Sequence, residues 1–149
     1  MISELLQDNF IDLNLDVPDK ATAINKLSGM LCGSGKVSDQ NHFVSAVLER
    51  EKLGSTAIGA GIAIPHARAN TVNEVSIAFA RAAHGIDFNS VDGDPVNLIF
   101  LLAAPVESGS LYLNLLARIS RLLRYQDLID DLKKATTKEE VIKIIASKE

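Results

Sequence analysis

The stretch PVNLIFLLAAP, residues 95 to 105, constrains the fold more than any other. It is a near-continuous apolar run of strand length, and a strand without polar alternation must be covered on both faces. Other elements therefore have to pack above and below it. VSIAFARA, residues 75 to 82, reads as a second strand, and SVDGDP between the two supplies turn chemistry.

The covering elements are legible as helices. After a short helix in ISELLQ, the segment FIDLNLDV alternates Ile11, Leu13 and Leu15 with polar residues and predicts a strand. Asp19 is placed to cap KATAINKLSGML, which carries Ile24, Leu27 and Leu31 on one helical face until GSGK stops it. Ser38 is placed to cap DQNHFVSAVLEREKL, where Phe43, Val47 and Arg50 share a stripe with Val44 and Leu48 beside it. SGSLYLNLLARISRLL sets Tyr112, Leu115, Leu116, Ile119, Leu122 and Leu123 at buried-face spacing. Beyond YQDLIDDLKKA, Thr137 and Glu140 make a capping-box pair before VIKII. Helices around a few apolar strands predict one layered α/β domain over residues 1–149, with the strand order undetermined.

Composition narrows the function. At 149 residues and 47% hydrophobic content the chain can bury a full core without disulfides or metals. A net charge of −4, with 15 basic residues spread along the chain, gives no footprint for nucleic acid or an anionic membrane. Cys32, the single cysteine, has no partner for an internal disulfide and reads as a buried thiol at the apolar end of a helix. MISELLQDNF lacks a basic start and apolar core, and no apolar run reaches about 18 residues, so no membrane insertion and a cytoplasmic location are expected.

Several phosphate and metal signatures fail. GMLCGSGKV has five residues between Gly29 and Gly35 where a P-loop has four, and Val37 stands where a hydroxyl should reach the metal. Gly59 and Gly61 lack the third glycine and following helix of a dinucleotide fingerprint. The three histidines and one cysteine offer no ligand pair on one element, and no metal is expected. His42 reads as a solvated helix residue and His84 as a turn or edge residue.

His66, in GSTAIGAGIAIPHAR, is different. Pro65 fixes its own φ and biases Ile64 toward an extended backbone, so the histidine leaves the apolar IAI segment in a constrained direction. Two roles fit the local sequence: a loop histidine bonded to backbone, or a nucleophile presented to a partner. Neutral imidazole is a good nucleophile near neutral pH when one ring nitrogen donates to a carbonyl and the other stays free. Phosphoryl transfer would add a need for positive charge and hydrogen-bond donors. Arg50 could supply the charge, or simply cover core with its aliphatic stem. Ser55, Thr56 and the amides around the glycines are candidate neutral donors, and Arg68 could pair with phosphate or remain solvated.

REKLGSTAIGAGIAIPHA, residues 50 to 67, closely resembles the active-site signature of the enzyme IIA domains of the fructose–mannitol family in the bacterial phosphoenolpyruvate-dependent phosphotransferase system, which includes nitrogen-regulatory enzyme IIA. GIDFNSVDGDPVNLIFLLAAP resembles the strand, turn and strand that follow in that family. The resemblance implies a mixed, largely parallel sheet with helices on both faces. It implies that His66 accepts a phosphoryl group through Nε2 from the phosphocarrier HPr, or its nitrogen-branch homologue, and passes it to a cysteine of a IIB domain. Arg50 matches the family's active-site arginine, and neither metal nor nucleotide cofactor is implied. Many members carry a second histidine where this chain has Tyr112, a tentative phosphate contact together with Ser55 and Thr56. Two functions stay open: a sugar relay, or phosphorylation-dependent control of regulatory protein targets. Ile58, Ile62 and Ile64 are candidate contact residues, the last two expected to be buried in the sheet.

Overall fold

The computed structural model describes residues 1–149. In chain order the elements are α1 (Ile2–Leu5), β1 (Ile11–Asp12), α2 (Lys20–Gly33), α3 (Gln40–Lys52), β2 (Ala57–Gly59), β3 (Ile62–Ala63), β4 (His66–Arg68), β5 (Ser76–Ile86), β6 (Val96–Ala104), α4 (Ser110–Leu122), α5 (Gln126–Lys134) and α6 (Lys138–Lys148). The strands form one sheet in the order β1, β5, β6, β3, β2, with β4 also paired to β6. No helix is long and apolar enough to cross a membrane.

β6, the apolar run, is the axis of the sheet. One edge pairs antiparallel with β5, setting Phe79 opposite Phe100. The other edge pairs parallel with β3 and then with β4, setting Ile62 opposite Leu98 and His66 opposite Leu102. β1 adds to β5 in parallel, and β2 folds back on β3 as a hairpin. The sheet is mixed, as expected, with its longest ladder antiparallel.

Strand alternation splits the core into two layers. Ala78, Ala80 and Ala82 with Ile99, Leu101 and Ala103 face α2 and α3, joined by Ile24, Leu27, Phe43 and Val47. Ile77, Phe79, Leu98, Phe100 and Leu102 face the other way, against Leu115 and Ile119 of α4, Leu128 and Leu132 of α5, and Val141 and Ile145 of α6. On that side Phe79 and Phe100 meet edge to face with ring centres 5.0 Å apart. Arg81 of β5 ties the layers together at one end. Its Nη1 donates to the carbonyls of Leu132, Lys133 and Ala135 at 3.2, 3.2 and 2.6 Å, satisfying the C-terminal end of α5.

Four local expectations change. FIDLNLDV is not a continuous strand, because Asp8–Phe10 form a 3₁₀ turn and the chain turns again at Leu13 and Asn14. Ile11 and Leu15 therefore enter opposite layers of the core. The cap of α3 is Asp39, which accepts from the His42 N–H at 3.1 Å. Ser38 instead bonds the Thr71 carbonyl through both its N–H and its hydroxyl. Thr137 caps α6 as predicted, but Glu140 reaches back to the N–H of Thr136, one residue earlier than a capping box requires. Cys32 is half-buried rather than buried.

Candidate functional site

Three elements converge at the end of β6. The last turns of α3 bring Ala46 and Arg50, the parallel strand β4 brings His66 and Arg68, and the first turns of α4 bring Tyr112, Leu113 and Leu116. A cleft of about 370 Å³ lies between them. A second of about 250 Å³, walled by Ser55, Thr56, Ile58 and Ile64, adjoins it at Arg50, His66 and Leu116.

The direction of His66 follows from its neighbours. The Pro65 carbonyl accepts from Leu102 N–H at 3.0 Å, and the Ile64 N–H donates to Thr56 at 3.1 Å, so the residues before the histidine are held on both sides. His66 Nδ1 then stands 2.7 Å from the Ile64 carbonyl. A carbonyl only accepts, so Nδ1 carries the hydrogen and the neutral ring has its lone pair on Nε2. Burial holds the imidazole below its ordinary range. The Ile64 carbonyl and the Glu51 charge oppose that shift, and the Arg50 charge adds to it. The result is a neutral, half-buried imidazole with one free basic nitrogen.

Two arginines line the cleft beside that ring. Arg50 is half-buried, and its Nη1 donates to the Gly54 carbonyl at 2.8 Å, which fixes the guanidinium at the cleft. Arg68 is exposed, its guanidinium 5.1 Å from the centre of the Tyr112 ring. The Tyr112 ring lies 6.0 Å from that of His66 and is tilted by 58°. Tyr112 is buried, as its helical phase predicts, and burial pushes its phenol up to about 12, so the hydroxyl keeps its hydrogen at physiological pH. No side chain caps the first turn of α4, and its positive dipole end adjoins the cleft.

The neutral donors are arranged otherwise than expected. Ser55 and Thr56 do line the second cleft, but Ser55 Oγ donates to the Phe88 carbonyl at 2.5 Å and Thr56 Oγ1 donates to Glu51. Gly59 and Gly61, both at positive φ with Ala60 between them, make the hairpin turn from β2 to β3. That turn is pinned by Asp92, which accepts from the Ala60 N–H at 3.2 Å. Ile62 is already four residues along β6 from His66, roughly 13 Å at strand rise, so the amides of this turn do not reach the cleft. Among the apolar candidates, Ile58 is 53% exposed while Ile62 and Ile64 are buried. His42 bonds Thr71 Oγ1 at 2.9 Å, and His84 is exposed on the far part of β5. Neither approaches His66.

Glu51 is the residue the sequence reading overlooked. Its side chain is 3% exposed and paired with Lys20 Nζ at 3.2 Å. The signal was present: Phe43, Val47 and Glu51 follow one another at i+4, so the carboxylate lies on the true inward line and Arg50 beside it.

Residues 4–148 match the family model described as phosphoenolpyruvate-dependent sugar phosphotransferase system, EIIA 2. The chain is 38% identical over 144 residues to the PTS system fructose-specific EIIABC component of Bacillus subtilis, covering 97% of this chain but 23% of that relative. It is 37% identical to the nitrogen regulatory protein of Bradyrhizobium diazoefficiens, covering 97% of this chain and 94% of that protein. The crystal structure of nitrogen regulatory protein IIA-Ntr from Neisseria meningitidis superposes with a TM-score of 0.90 at 30% identity, covering 97% of this chain and 98% of the other. Enzyme IIAMTL in its complex with phosphorylated enzyme IIBMTL from Escherichia coli gives 0.82 at 26% identity, with 95% and 97% covered. A match along nearly the whole chain, with the fold and the histidine-centred cleft, establishes that this protein belongs to the EIIA type 2 family of the phosphoenolpyruvate-dependent sugar phosphotransferase system.

Proposed function

We propose that His66 is a phosphoryl carrier that takes its phosphate from HPr, or a nitrogen-branch homologue of HPr, and delivers it to a cysteine of the IIB domain of a sugar permease, in the cytoplasm. The observation that carries this reading is the Nδ1 contact with Ile64, which leaves Nε2 as the free nucleophilic nitrogen. In the forward step the Nε2 lone pair forms the bond to phosphorus, and the bond from phosphorus to the donor nitrogen breaks with its electrons returning to the donor. Nδ1 keeps its hydrogen throughout, and the ring becomes cationic. In this reading Arg50 and Arg68, which line the cleft with His66, pair with the equatorial oxygens, and the Tyr112 hydroxyl donates to one of them. Ser55 and Thr56 contribute by shaping the cleft, their hydroxyl hydrogens being engaged elsewhere. The exposed apolar residues Ile58 and Leu113 flank the histidine and suit a partner that docks briefly.

A second reading rests on the equally strong likeness to nitrogen regulatory proteins. There the phosphate on His66 adds negative charge to a docking face and switches regulatory protein targets such as kinases or potassium transporters. Charging the protein with phosphate and adding candidate IIB domains separates the two. Loss of phosphate from His66 to a IIB cysteine supports the sugar relay. Phosphate that every IIB domain leaves in place supports the regulatory reading.

A further inference from the structure

We propose that Glu51 is a positioning residue that acts on His66 through a chain of hydrogen bonds, holding the ring and favouring the positive charge it gains on phosphorylation. The inference rests on His66 being the phosphoryl acceptor for its kinetic part only.

The contacts follow one another from residue to residue, with an sp³ Cα between the N–H and the carbonyl of both Thr56 and Ile64. Glu51 Oε2 accepts from the Thr56 N–H at 3.3 Å, and Glu51 Oε1 accepts from the Thr56 hydroxyl. The Thr56 carbonyl accepts from the Ile64 N–H at 3.1 Å. The Ile64 carbonyl accepts from His66 Nδ1 at 2.7 Å. Every hydrogen in this series points from the imidazole toward the carboxylate, so each dipole presents its negative end to the ring. A buried carboxylate that orients a histidine and stabilises its cationic form is a familiar device when the two touch directly. Here two backbone segments stand between them.

Glu51 is also too deeply placed to be a surface charge. Lys20 of α2 is its ionic partner, and Lys20 Nζ additionally lies 3.5 Å from the Phe88 carbonyl that accepts from Ser55. The carboxylate thus ties α2, the end of α3, the segment 54–56 and the Phe88 loop into one support behind the cleft. The other groups facing His66 are Arg50 from α3, Arg68 from its own strand and Tyr112 from α4. Arg50 disfavours a cationic ring, and Glu51 is the charge that favours one.

Glu51→Gln tests this, since the amide oxygen still accepts from Thr56 while the charge is gone. The His66 titration midpoint, followed by ¹⁵N NMR, moves down, and phosphoryl uptake from the phosphorylated donor protein slows by less than the about tenfold lost with a partner bonded directly to a histidine. Removing the charge leaves Lys20 without its partner, so the charge-neutral pair Lys20→Met with Glu51→Gln is measured beside it. A downward shift is expected there too, because Glu51 is the member of the pair bonded through Thr56 to the segment that holds the ring. Bracing alone would survive in both variants: a folded variant with an unchanged His66 midpoint overturns the proposal. A lowered midpoint in a protein whose wild type takes no phosphate upholds the coupling of Glu51 to His66 and overturns the phosphoryl-carrier reading.

Discussion

Replacing Arg50 by Gln separates two effects that move in opposite directions. The guanidinium is anchored by the 2.8 Å contact with the Gly54 carbonyl, so it waits in place for the charge that develops on the phosphoryl oxygens. Losing one preorganised donor of this kind costs about 10²–10³ in rate, or roughly 2.7–4 kcal/mol. Arg50 is half-buried, so water replaces part of its effect and the lower end, about 10², is expected. Folding loses only about 0.5–1.5 kcal/mol with the Gly54 contact, which the domain tolerates. Arg50 also lowers the basicity of His66, so the same substitution raises the titration midpoint. Quench-flow phosphorylation by the phosphorylated donor and ¹⁵N NMR of His66 read the two quantities in one sample. A slower reaction on a more basic imidazole is the signature of lost transition-state charge. A rate within threefold of wild type would show that Arg50 does not stabilise the transferring phosphoryl group.

Three further outcomes follow from the same geometry. Tyr112→Phe keeps the buried ring and removes a hydroxyl that stays protonated to about pH 12, so transfer slows by several-fold without loss of folding, and Tyr112→His changes the phosphohistidine lifetime; a Phe variant with wild-type kinetics removes Tyr112 from the site. Because burial places the folded pKa of His66 below that of the unfolded chain, its stabilising contribution is complete above the unfolded value and is lost as pH falls through the folded one. Uptake of phosphate should therefore be level near pH 7 and decline on the acid side of the usual imidazole range, and His66→Gln should flatten that part of the acid stability limb in urea titrations. Phe79→Ala removes a fully buried ring and its edge-to-face contact with Phe100, costing about 3–5 kcal/mol by equilibrium unfolding.

The parts of this molecule that were legible in its sequence are those written by local pattern. The unbroken apolar run of β6, the buried face of α4 and the Asp19 and Thr137 caps depend on residues a few positions apart. Pro65 made legible the constrained direction in which His66 leaves the sheet, while two roles for the ring stayed open until the resemblance of residues 50 to 67 to the family signature. What escaped was decided by distant partners. Leu15 alternates with Ile11 on paper, yet the turn at 13 and 14 sends it to the opposite layer. Glycine at positive φ serves a hairpin as well as an anion cradle, and only the register of β3 on β6 places Gly59 and Gly61 away from the cleft. The hydroxyls of Ser55 and Thr56 are turned inward by Phe88, 33 residues on, and by a carboxylate whose burial depends on the packing of α2.

The decisive measurement is where the phosphate sits. The protein is incubated with phosphoenolpyruvate, enzyme I and HPr, kept at alkaline pH, and digested for mass spectrometry beside His66→Ala. One phosphoryl group is expected, on His66, absent from the variant. No phosphate with competent donors, or phosphate that persists in His66→Ala, would contradict that expectation.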